Sequence, residues 1–429
     1  MKKITLAVLS LALAAALTSC KPIPKPKTET KTKKEPAKVE KEEPEVDTEI
    51  ALYFDMDKAV KDSGSKALGN TSAADLAVNM KNGWNLGNTF DATGSKSMSS
   101  ETSWGQPKTT KAMIDGLAAS GIKTLRLPVS WSNHLIDKNY TIDPMWMNRV
   151  KEVVDWAVDD GMYVILNSHH DCWDKPALMP RASGYYPNTT NYYESARYLK
   201  NIWTQIGTAF NNGYDEHLVF ETMNEPRLRG TSHEWWFDNN ALECRDGADI
   251  LNKLNQLALD TIRSTGGNNS KRVVSVPGLQ ASPDSAFAVA FQMPKDGDNG
   301  NTRLMLSVHM YSPYNFAMES PGLTSYNDSM GQELARTFKK LHDNFITKGY
   351  GVYIGEYGAT NKNNLEDRVN WFHAFLKFSR QFGMPCILWD NGVWEVKGND
   401  YNEHYGYYNR NEQKWYFPEI TKAIIEETL

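Results

Sequence analysis

The stretch LVFETMNEP, residues Leu218 to Pro226, begins as an apolar run and ends in a carboxylate followed by proline. The apolar start predicts a buried strand. Because proline cannot donate to a sheet ladder, the strand must end by Pro226, which places Glu225 at its C-terminal rim. A carboxylate there is costly to desolvate unless another group uses or neutralises it. A structural ion pair would satisfy Glu225 alone, so the question is whether it has a chemical partner elsewhere in the chain.

The same arrangement, an apolar run followed by a polar or Gly/Pro-containing loop, recurs along the chain. The eight runs begin at Gly83, Thr124, Tyr163, Leu218, Val273, Leu304, Val352 and Cys386. Amphipathic helical patterns lie between them, at Thr109–Gly121, Met145–Gly161, Ser195–Phe210 and Leu365–Gly383. This alternation predicts the α/β class and a (β/α)8 TIM barrel. A doubly wound open sheet is the alternative, but neither GxGxxG nor GxxxxGK[ST] occurs to supply its phosphate loop.

The N-terminus predicts export. Two lysines precede an apolar run that ends in Leu17–Cys20, which resembles a bacterial lipobox and implies cleavage before Cys20 and acylation of that cysteine. An ordinary signal peptide with an incidental cysteine is the alternative. The next segment is rich in Lys, Glu and Pro and contains no aromatic residue, which predicts a disordered tether. The expected organisation is a signal peptide over 1–19, a tether over 20–50 and one folded domain over 51–429.

The 429-residue chain is 40% hydrophobic, has a formal net charge of −5 and contains 13 Trp and 20 Tyr. It has no basic footprint for nucleic acid. The aromatic excess suits either a core or a sugar-stacking surface. Beyond Cys20 three cysteines remain, and this odd number leaves at least one thiol unpaired in an exported protein. A Cys172–Cys244 bridge is one option, Cys386 is expected to be a buried thiol, and no CxxC spacing favours a zinc site.

In a parallel barrel, the C-terminal ends of the strands meet at one mouth, where the active site is built. The interiors of the runs are Val, Ile and Leu, whereas unusual polar and aromatic residues lie in or after them. These residues are Arg126, His169, His170, Asn224, Glu225, His309, Tyr311, Glu356 and Trp389. Glu225 and Glu356 can meet across the mouth, and two carboxylates flanking a bond are what glycoside hydrolysis requires. Many barrels also use two carboxylates as metal ligands, so the pair alone does not decide the chemistry.

Longer motifs narrow the choice. MNEP, HMYSPY, IGEYG and LWDNG resemble glycoside hydrolase family 5, of the retaining (β/α)8 clan. GWNLGNTFDA, SWGQPKTT and IKTLRLPVSW resemble its subfamily 4, which holds endo-β-1,4-glucanases, often active on xyloglucan and mixed-linkage glucan as well. The resemblance runs from about Gly83 to the C-terminus in motif order. It implies cofactor-free double displacement on cellulose-type glucans, with Glu225 as acid/base and Glu356 as nucleophile.

The resemblance also implies roles around this pair. Arg126 would hold Glu356 ionised, and Asn224 would bond the 2-hydroxyl of the sugar being cleaved. His309 and Tyr311 are two residues apart and would bond the catalytic pair from one face.

The remaining candidates would contact sugar directly. Trp389 would be the stacking platform under the −1 sugar. His169 is placed near that sugar and His170 further out, because neighbouring side chains on a strand diverge. Weaker candidates for outer subsites are Asn85, Trp131, Tyr314, Trp173 and Trp394. The long Tyr- and Asn-rich loop after the third run either walls the negative subsites or is plain surface.

Other functions stay open at this point. A mannanase or xylanase would share the two glutamates, and a non-catalytic surface glycan-binding protein would share the barrel. A metal-dependent hydrolase is suggested by the string His169-His170-Asp171, but strand alternation argues against one ion on both histidines, and the family needs no metal. We expect an exported monomer at the bacterial cell envelope or surface that binds β-glucan, and touches the membrane only through its lipid anchor.

Overall fold

The computed structural model describes residues 64–172, 184–398 and 403–428. Eight parallel strands close into one barrel in chain order, with β1 pairing with both β2 and β8. The strands are β1 Asn82–Asn85, β2 Thr124–Leu127, β3 Tyr163–Asn167, β4 Leu218–Glu221, β5 Val274–Pro277, β6 Leu304–His309, β7 Gly351–Tyr357 and β8 Cys386–Leu388. Each coincides with one of the eight apolar runs. The prediction of a (β/α)8 barrel is therefore confirmed.

Helices alternate with the strands. They are α1 Ala73–Met80, α2 Lys111–Ala119, α3 Pro144–Asp159, α4 Tyr192–Ala209, α5 Leu242–Ser264, α6 Pro283–Ala286, α7 Tyr314–Ala317, α8 Asp328–Asn344, α9 Leu365–Phe382 and α10 Pro418–Thr428. A small antiparallel hairpin, β9 Tyr408–Asn409 with β10 Lys414–Trp415, precedes α10. Helix α9 ends at a glycine: Gly383 follows it with a left-handed φ of 67°.

The barrel interior is layered, because alternate residues of each strand point inward. Its lower layer is apolar and packs on α1, which lies across the N-terminal end of the barrel. This cluster joins Ala73, Leu76, Ala77 and Met80 of the helix to Ile165, Val219, Val273, Met305, Tyr353 and Ile387. One layer higher, the buried residues on three of these strands are Asn167, Glu221 and Ser307. The interior therefore turns polar toward the C-terminal mouth.

Several sequence-based predictions lie outside the described residues: the signal peptide, the tether, acylated Cys20 and Trp173. Within the described part, no helix is both long and apolar enough to cross a membrane. The suggested Cys172–Cys244 bridge is wrong, because both cysteines and Cys386 are buried free thiols. Cys172 instead bonds the backbone of Arg227, with Sγ 3.4 Å from both its N and its O.

Candidate active site

A buried arginine organises the mouth of the barrel. Arg126 is fully buried at the upper end of β2, and its Nη1 donates to Glu356 Oε1 at 2.9 Å. Its Nε and Nη2 hold both oxygens of Glu221, at 2.8 and 3.3 Å, and Nη2 also donates to Asn224 Oδ1 at 2.6 Å. Burial lowers the pKa of the guanidinium, but the charges of Glu221 and Glu356 outweigh burial and raise it overall. The arginine is therefore a permanent cation between two carboxylates.

Glu221 is a functional-site residue that sequence reasoning missed, as is Asn167, which bonds it. Glu221 is the last residue of β4 and fully buried, and it accepts from Ser307 Oγ at 2.6 Å and Asn167 Nδ2 at 3.1 Å as well as from Arg126. A buried carboxylate with four donors is a fixed counter-charge rather than a reactive acid. The available signal was its position, four residues before Glu225, which puts an acid inside an otherwise apolar strand.

The two glutamates identified from the sequence do meet. One oxygen of Glu225, one of Glu356 and a ring nitrogen of His309 all lie within 4.8 Å of one another. His309 Nδ1 is 2.8 Å from Glu225 Oε1, and Tyr311 donates its hydroxyl to Glu356 Oε2 at 3.0 Å. The expectation that His309 and Tyr311 both face the carboxylate pair agrees with this arrangement.

His309 contacts Arg126 through one ring nitrogen and the carboxylate pair through the other. Its Nε2 lies 3.4 Å from Nη2 of Arg126, whose two hydrogens already point to Glu221 Oε1 and Asn224 Oδ1. Its Nδ1 lies 2.8 Å from Glu225 Oε1, and because a carboxylate oxygen accepts, Nδ1 donates to it. Burial, followed by the charge of Glu356, raises the pKa of Tyr311 well above its ordinary value, so its hydroxyl stays a donor.

The two carboxylates have opposite pKa shifts. Burial raises the pKa of Glu225, but the hydrogen bond and charge of His309 outweigh it and lower that pKa overall. Burial raises the pKa of Glu356, and the charge of Glu225 adds to this, while His309 and Arg126 oppose it. The charge state of Glu356 therefore depends on that of Glu225, as expected for two carboxylates this close.

His169 follows β3 at the mouth and is held by Asn167. Burial, assisted by the charge of His170, lowers the pKa of His169 well below its ordinary value, so its ring is neutral. Asn167 Oδ1 accepts from the backbone N–H of Val129 at 3.0 Å, which identifies its other atom as the amide nitrogen. That nitrogen lies 3.1 Å from His169 Nδ1, so Nδ1 accepts and Nε2 carries the proton.

Trp389 lies opposite His169 at the barrel mouth. Its ring lies parallel to that of His169, with 5.8 Å between centroids and 2° between planes. A Cβ on Gly87 would come within 2.9 Å of the Trp389 ring and 2.7 Å of the Asp390 carbonyl, so only glycine fits there. The indole is 8% exposed, which leaves a small apolar surface at the mouth.

Two predicted substrate contacts are wrong. Trp131 is fully buried, and its Nε1–H donates to the backbone oxygen of Asn167 at 2.9 Å, which makes it a core residue behind the site. Asn85 is also fully buried; its Nδ2 donates to three backbone oxygens and its Oδ1 accepts from Arg126 at 2.9 Å. Arg126 itself has no exposed surface, so its influence on a bound sugar is indirect. Asn85, Arg126 and Trp131 therefore lie beneath the mouth and hold its side chains and backbone in place through hydrogen bonds.

Two local expectations were also wrong. The strand that leads to Glu225 ends at Glu221, and beyond it the backbone N–H of Asn224 donates to the carbonyl oxygen of Ser168, the residue after β3, at 2.9 Å. Likewise β3 ends at Asn167, so strand alternation does not govern the two histidines. The rings of His169 and His170 contact each other edge to face, 4.4 Å apart. His170 continues outward to Asp91 and to the ring of Trp104, 5.5 Å away.

Two groups among the described residues have metal-ligand spacing: Asp91 with His169 and His170, and Glu225 with His309 and Glu356. In the first group, His169 Nδ1 is already occupied by Asn167 and Nε2 bears the proton. In the second, His309 Nδ1 is occupied by its hydrogen bond to Glu225. In each group, a ring nitrogen of the histidine is therefore already used in a hydrogen bond to a protein side chain.

Exposed tryptophans surround the mouth. Within the described residues they are Trp104, Trp235, Trp236 and Trp394, with 39%, 62%, 57% and 39% exposure. Each lies in a segment that follows a strand, after β1, β4, β4 and β8 respectively. Trp394 stacks on Tyr416 at 4.6 Å, and the predicted candidate Tyr314 is 62% exposed after β6. Exposed indoles gathered at one end of a barrel suit a ligand with flat apolar faces, such as a sugar chain.

Two adjacent carboxylates with different partners suit paired acid and nucleophile chemistry at a glycosidic bond, and the aromatic mouth suits its substrate. The geometry thus defines a glycoside hydrolase of the (β/α)8 class. Residues 87–394 match the family described as Cellulase (glycosyl hydrolase family 5). The chain belongs to this family.

Close relatives agree with the assignment. The chain is 43% identical over 352 residues to Endoglucanase B of Ruminococcus albus, covering 82% of this chain and 79% of the relative. Among solved structures, it is similar to a mutant family 5 lichenase of Caldicellulosiruptor sp. F32 in complex with cellotetraose, with TM-score 0.78, 40% identity and coverage of 85% and 98%. It is also similar to a GH5-4 broad-specificity endoglucanase of Ruminococcus champanellensis with bound cellotriose, with TM-score 0.76, 38% identity and coverage of 84% and 100%.

Proposed function

We propose that this chain is a retaining endo-β-1,4-glucanase in which Glu225 is the acid/base and Glu356 the nucleophile. One observation carries the proposal: the two carboxylates approach within 4.8 Å at the barrel mouth, with a guanidinium on one and an imidazole on the other. Retaining enzymes hold their carboxyl groups about 5–5.5 Å apart, and inverting enzymes leave room for a water between them. The close approach favours direct attack by a carboxylate.

In the first step, Glu356 attacks the anomeric carbon of the −1 sugar while Glu225 gives its proton to the glycosidic oxygen. The bond between that carbon and oxygen breaks, the leaving chain departs with a hydroxyl group, and Glu356 becomes a glycosyl ester. Arg126 and Tyr311 hold the attacking carboxylate in place before this step. Asn224 has its Oδ1 on Arg126, which directs its amide hydrogens toward the 2-hydroxyl of the sugar.

In the second step, Glu225 takes a proton from water, and the oxygen of that water attacks the anomeric carbon from the side that the leaving chain vacated. The ester bond to Glu356 breaks, and both carboxyl groups return to their starting state. Two inversions give net retention. The loss of the Glu356 charge in the ester lowers the pKa of Glu225, which suits its change from acid to base.

The proposed substrates are cellulose-type glucans: carboxymethylcellulose, mixed-linkage β-glucan and xyloglucan. Support comes from the endoglucanase and lichenase relatives, two of which were solved with cello-oligosaccharides. Mannan and xylan are the competing substrates, because they would use the same two glutamates.

We also propose that the protein is lipid-anchored through Cys20, a proposal that rests on the Leu17–Cys20 motif alone.

Reducing-sugar release from carboxymethylcellulose, mixed-linkage β-glucan, xyloglucan, glucomannan and xylan tests the proposed substrate class. We expect rapid release from the glucans and little from xylan, because stacking and hydroxyl contacts at the mouth are proposed to select glucosyl units. Faster release from xylan or glucomannan would replace the glucanase assignment by a xylanase or mannanase. No release from any polymer, with Glu225 and Glu356 intact, would favour a glycan-binding protein.

Asn167 should control activity through the tautomer of His169. In Asn167→Asp the new carboxylate cannot donate, so His169 should move its proton to Nδ1 and lose the outward donor at Nε2. We expect kcat/KM on β-glucan to fall about 10- to 100-fold, the size of a lost hydrogen bond to a charged or polarised group. The ¹⁵N shifts of the His169 ring should report the exchange of tautomers.

Ser307→Ala is the matched control for Asn167→Asp. Ser307 donates to Glu221 at 2.6 Å, as Asn167 does at 3.1 Å, but has no bond to His169. This control should keep the Nε2–H tautomer. If Asn167→Asp also keeps that tautomer, or if both variants lose the same activity, the effect of Asn167 runs through Glu221 instead.

A further inference from the structure

The hairpin after β8 places a buried arginine beneath the mouth. Arg410 directly follows β9 and is only 4% exposed, so its charge is almost completely removed from solvent. Its guanidinium lies over the ring of Trp84, a residue of β1, with Cζ 5.2 Å from the ring centroid. Burying a guanidinium is costly unless its donors are bonded, so the groups that Arg410 holds indicate what it does.

The donors of Arg410 join the loop after β1 to the loop after β8. Nη2 donates to the backbone oxygens of Gly87 and Asp390, both at 2.9 Å. Nη1 donates to Thr89 Oγ1 at 2.8 Å, and that hydroxyl donates in turn to the backbone oxygen of Gly87 at 3.0 Å. Because a guanidinium carries its donors in one rigid plane, this single side chain fixes the distance between the two loops.

Both loops determine where the indole of Trp389 lies. Trp389 directly precedes Asp390, whose backbone oxygen Arg410 holds. The Trp389 ring also packs against the backbone of Gly87, since a Cβ at that position would lie 2.9 Å from the ring. Arg410 therefore holds both the residue next to the indole and the backbone behind its ring.

The carboxylate of Asp390 ties the hairpin to the same point. Its Oδ2 accepts from the backbone N–H groups of Tyr407 and Tyr408 at 3.0 and 2.8 Å, and from Trp84 Nε1 at 2.9 Å. Its Oδ1 lies 3.6 Å from Nη2 of Arg410. The arginine is therefore fixed relative to both loops before any sugar binds.

We propose that Arg410 is a positioning residue for the reaction: by joining the loops after β1 and β8, it holds the Trp389 ring where the −1 sugar needs it in the transition state. Arg410 is buried beneath these loops and acts through the indole rather than by touching the sugar. This inference rests on the proposed function, with Trp389 as the platform under the −1 sugar. It gives the hairpin between β8 and α10 a part in the reaction.

The test asks whether Arg410 acts through Trp389. In Arg410→Lys the charge is kept but the planar fork is lost. We expect kcat on β-glucan to fall about 10- to 100-fold, because small displacements near the reacting atoms have effects of that size. KM should change less than about threefold, because the other sugars of the polymer keep their contacts. The loss of kcat should be equally large for β-cellotriosyl fluoride, whose leaving group needs no proton, because this substrate also places a sugar on Trp389.

The same lysine substitution is then made in a Trp389→Ala background. There it should lower kcat by less than about twofold more, because the side chain through which Arg410 acts is gone. A loss in that background as large as in the wild-type background, or no loss in either, would overturn the proposal.

Arg272→Lys is the matched control, because Arg272 is also fully buried and lies over an aromatic ring, that of Phe220 at 5.4 Å. It bonds backbone oxygens at the opposite end of the barrel, including that of Leu218, the first residue of β4, at 3.0 Å. This control should lower Tm about as much as Arg410→Lys but retain more than half of the wild-type kcat. Equal losses of kcat in the two lysine variants would assign the effect to general destabilisation and refute a positioning role.

Thr89→Val is a second variant for the case that Arg410→Lys does not fold. Valine has a similar shape but cannot accept from Nη1 of Arg410 or donate to Gly87. We expect kcat to fall about three- to tenfold, and to fall no further when Trp389 is already alanine. Independent, multiplying losses would again contradict the proposal. A wild-type protein that releases no sugar from any glucan would instead contradict the proposed function, so the two failures are distinguishable.

Discussion

Replacing Glu356 by alanine should reduce β-glucan hydrolysis by at least about 10⁴-fold, because no covalent glycosyl ester can then form. Added sodium azide should restore turnover of an activated aryl cellobioside. The small anion enters the space that the carboxylate vacates and attacks the anomeric carbon from the same side, so the product should be the α-glycosyl azide. Proton NMR of the product gives its configuration.

Folding should survive this substitution for a structural reason. Arg126 keeps both oxygens of Glu221 when Glu356 is removed, so the buried cation is not left without an anion. Glu356→Gln is the matched control: it fills the same space and should show no azide rescue. A β-configured azide product, or an alanine variant with more than a few per cent of wild-type activity, would remove Glu356 from the nucleophile role.

Replacing Glu225 by alanine should lower hydrolysis of β-glucan by about 10²–10⁴-fold, the usual contribution of a general acid. A dinitrophenyl cellobioside needs no proton on its leaving group, so its first step should stay fast and the glycosyl enzyme should accumulate as a burst of phenol. Azide should again raise the rate, but here it attacks the intermediate and should give the β-glycosyl azide. Opposite product configurations in the two variants would identify both roles in one experiment.

The pH profile of the same Glu225→Ala variant provides a second readout. The charge of Glu225 adds to burial in raising the pKa of Glu356. A raised pKa means that the nucleophile loses its charge at a higher pH, so activity falls early on acidification. Removing Glu225 should therefore move the acid limb of fluoride hydrolysis to lower pH. An acid limb that stays in place would show that the two carboxylates do not interact, against the geometry described above.

The fold was predictable because its signals are local. Each strand is a short apolar run with a polar loop after it, and each helix carries its own periodicity, so neither depends on the rest of the chain. The eight runs beginning at residues such as Thr124 and Leu218 all became strands. The position of Glu225 beyond β4 and of Glu356 near the C-terminal end of β7 was enough to bring them to one mouth, since parallel strands in a barrel all end there.

The sequence was less informative about which polar residues contact one another and which face solvent. Asn85 and Trp131 carry the same chemical groups as sugar-binding residues, but the closed barrel buries both. Glu221 looked like part of an apolar strand, and it holds Arg126. The rings of His169 and His170, expected to diverge, touch each other because β3 ends before them.

The sequence by itself determined the barrel, the carboxylate pair at its mouth and the arginine beside that pair, because those depend on periodicity and on the order of strands. Only the tertiary structure decided that Asn167 sets a histidine tautomer and that Glu221 shares the arginine. These relations join residues tens of positions apart through side-chain contacts. Their geometry depends on strand register, barrel closure and loop packing, none of which a local pattern encodes.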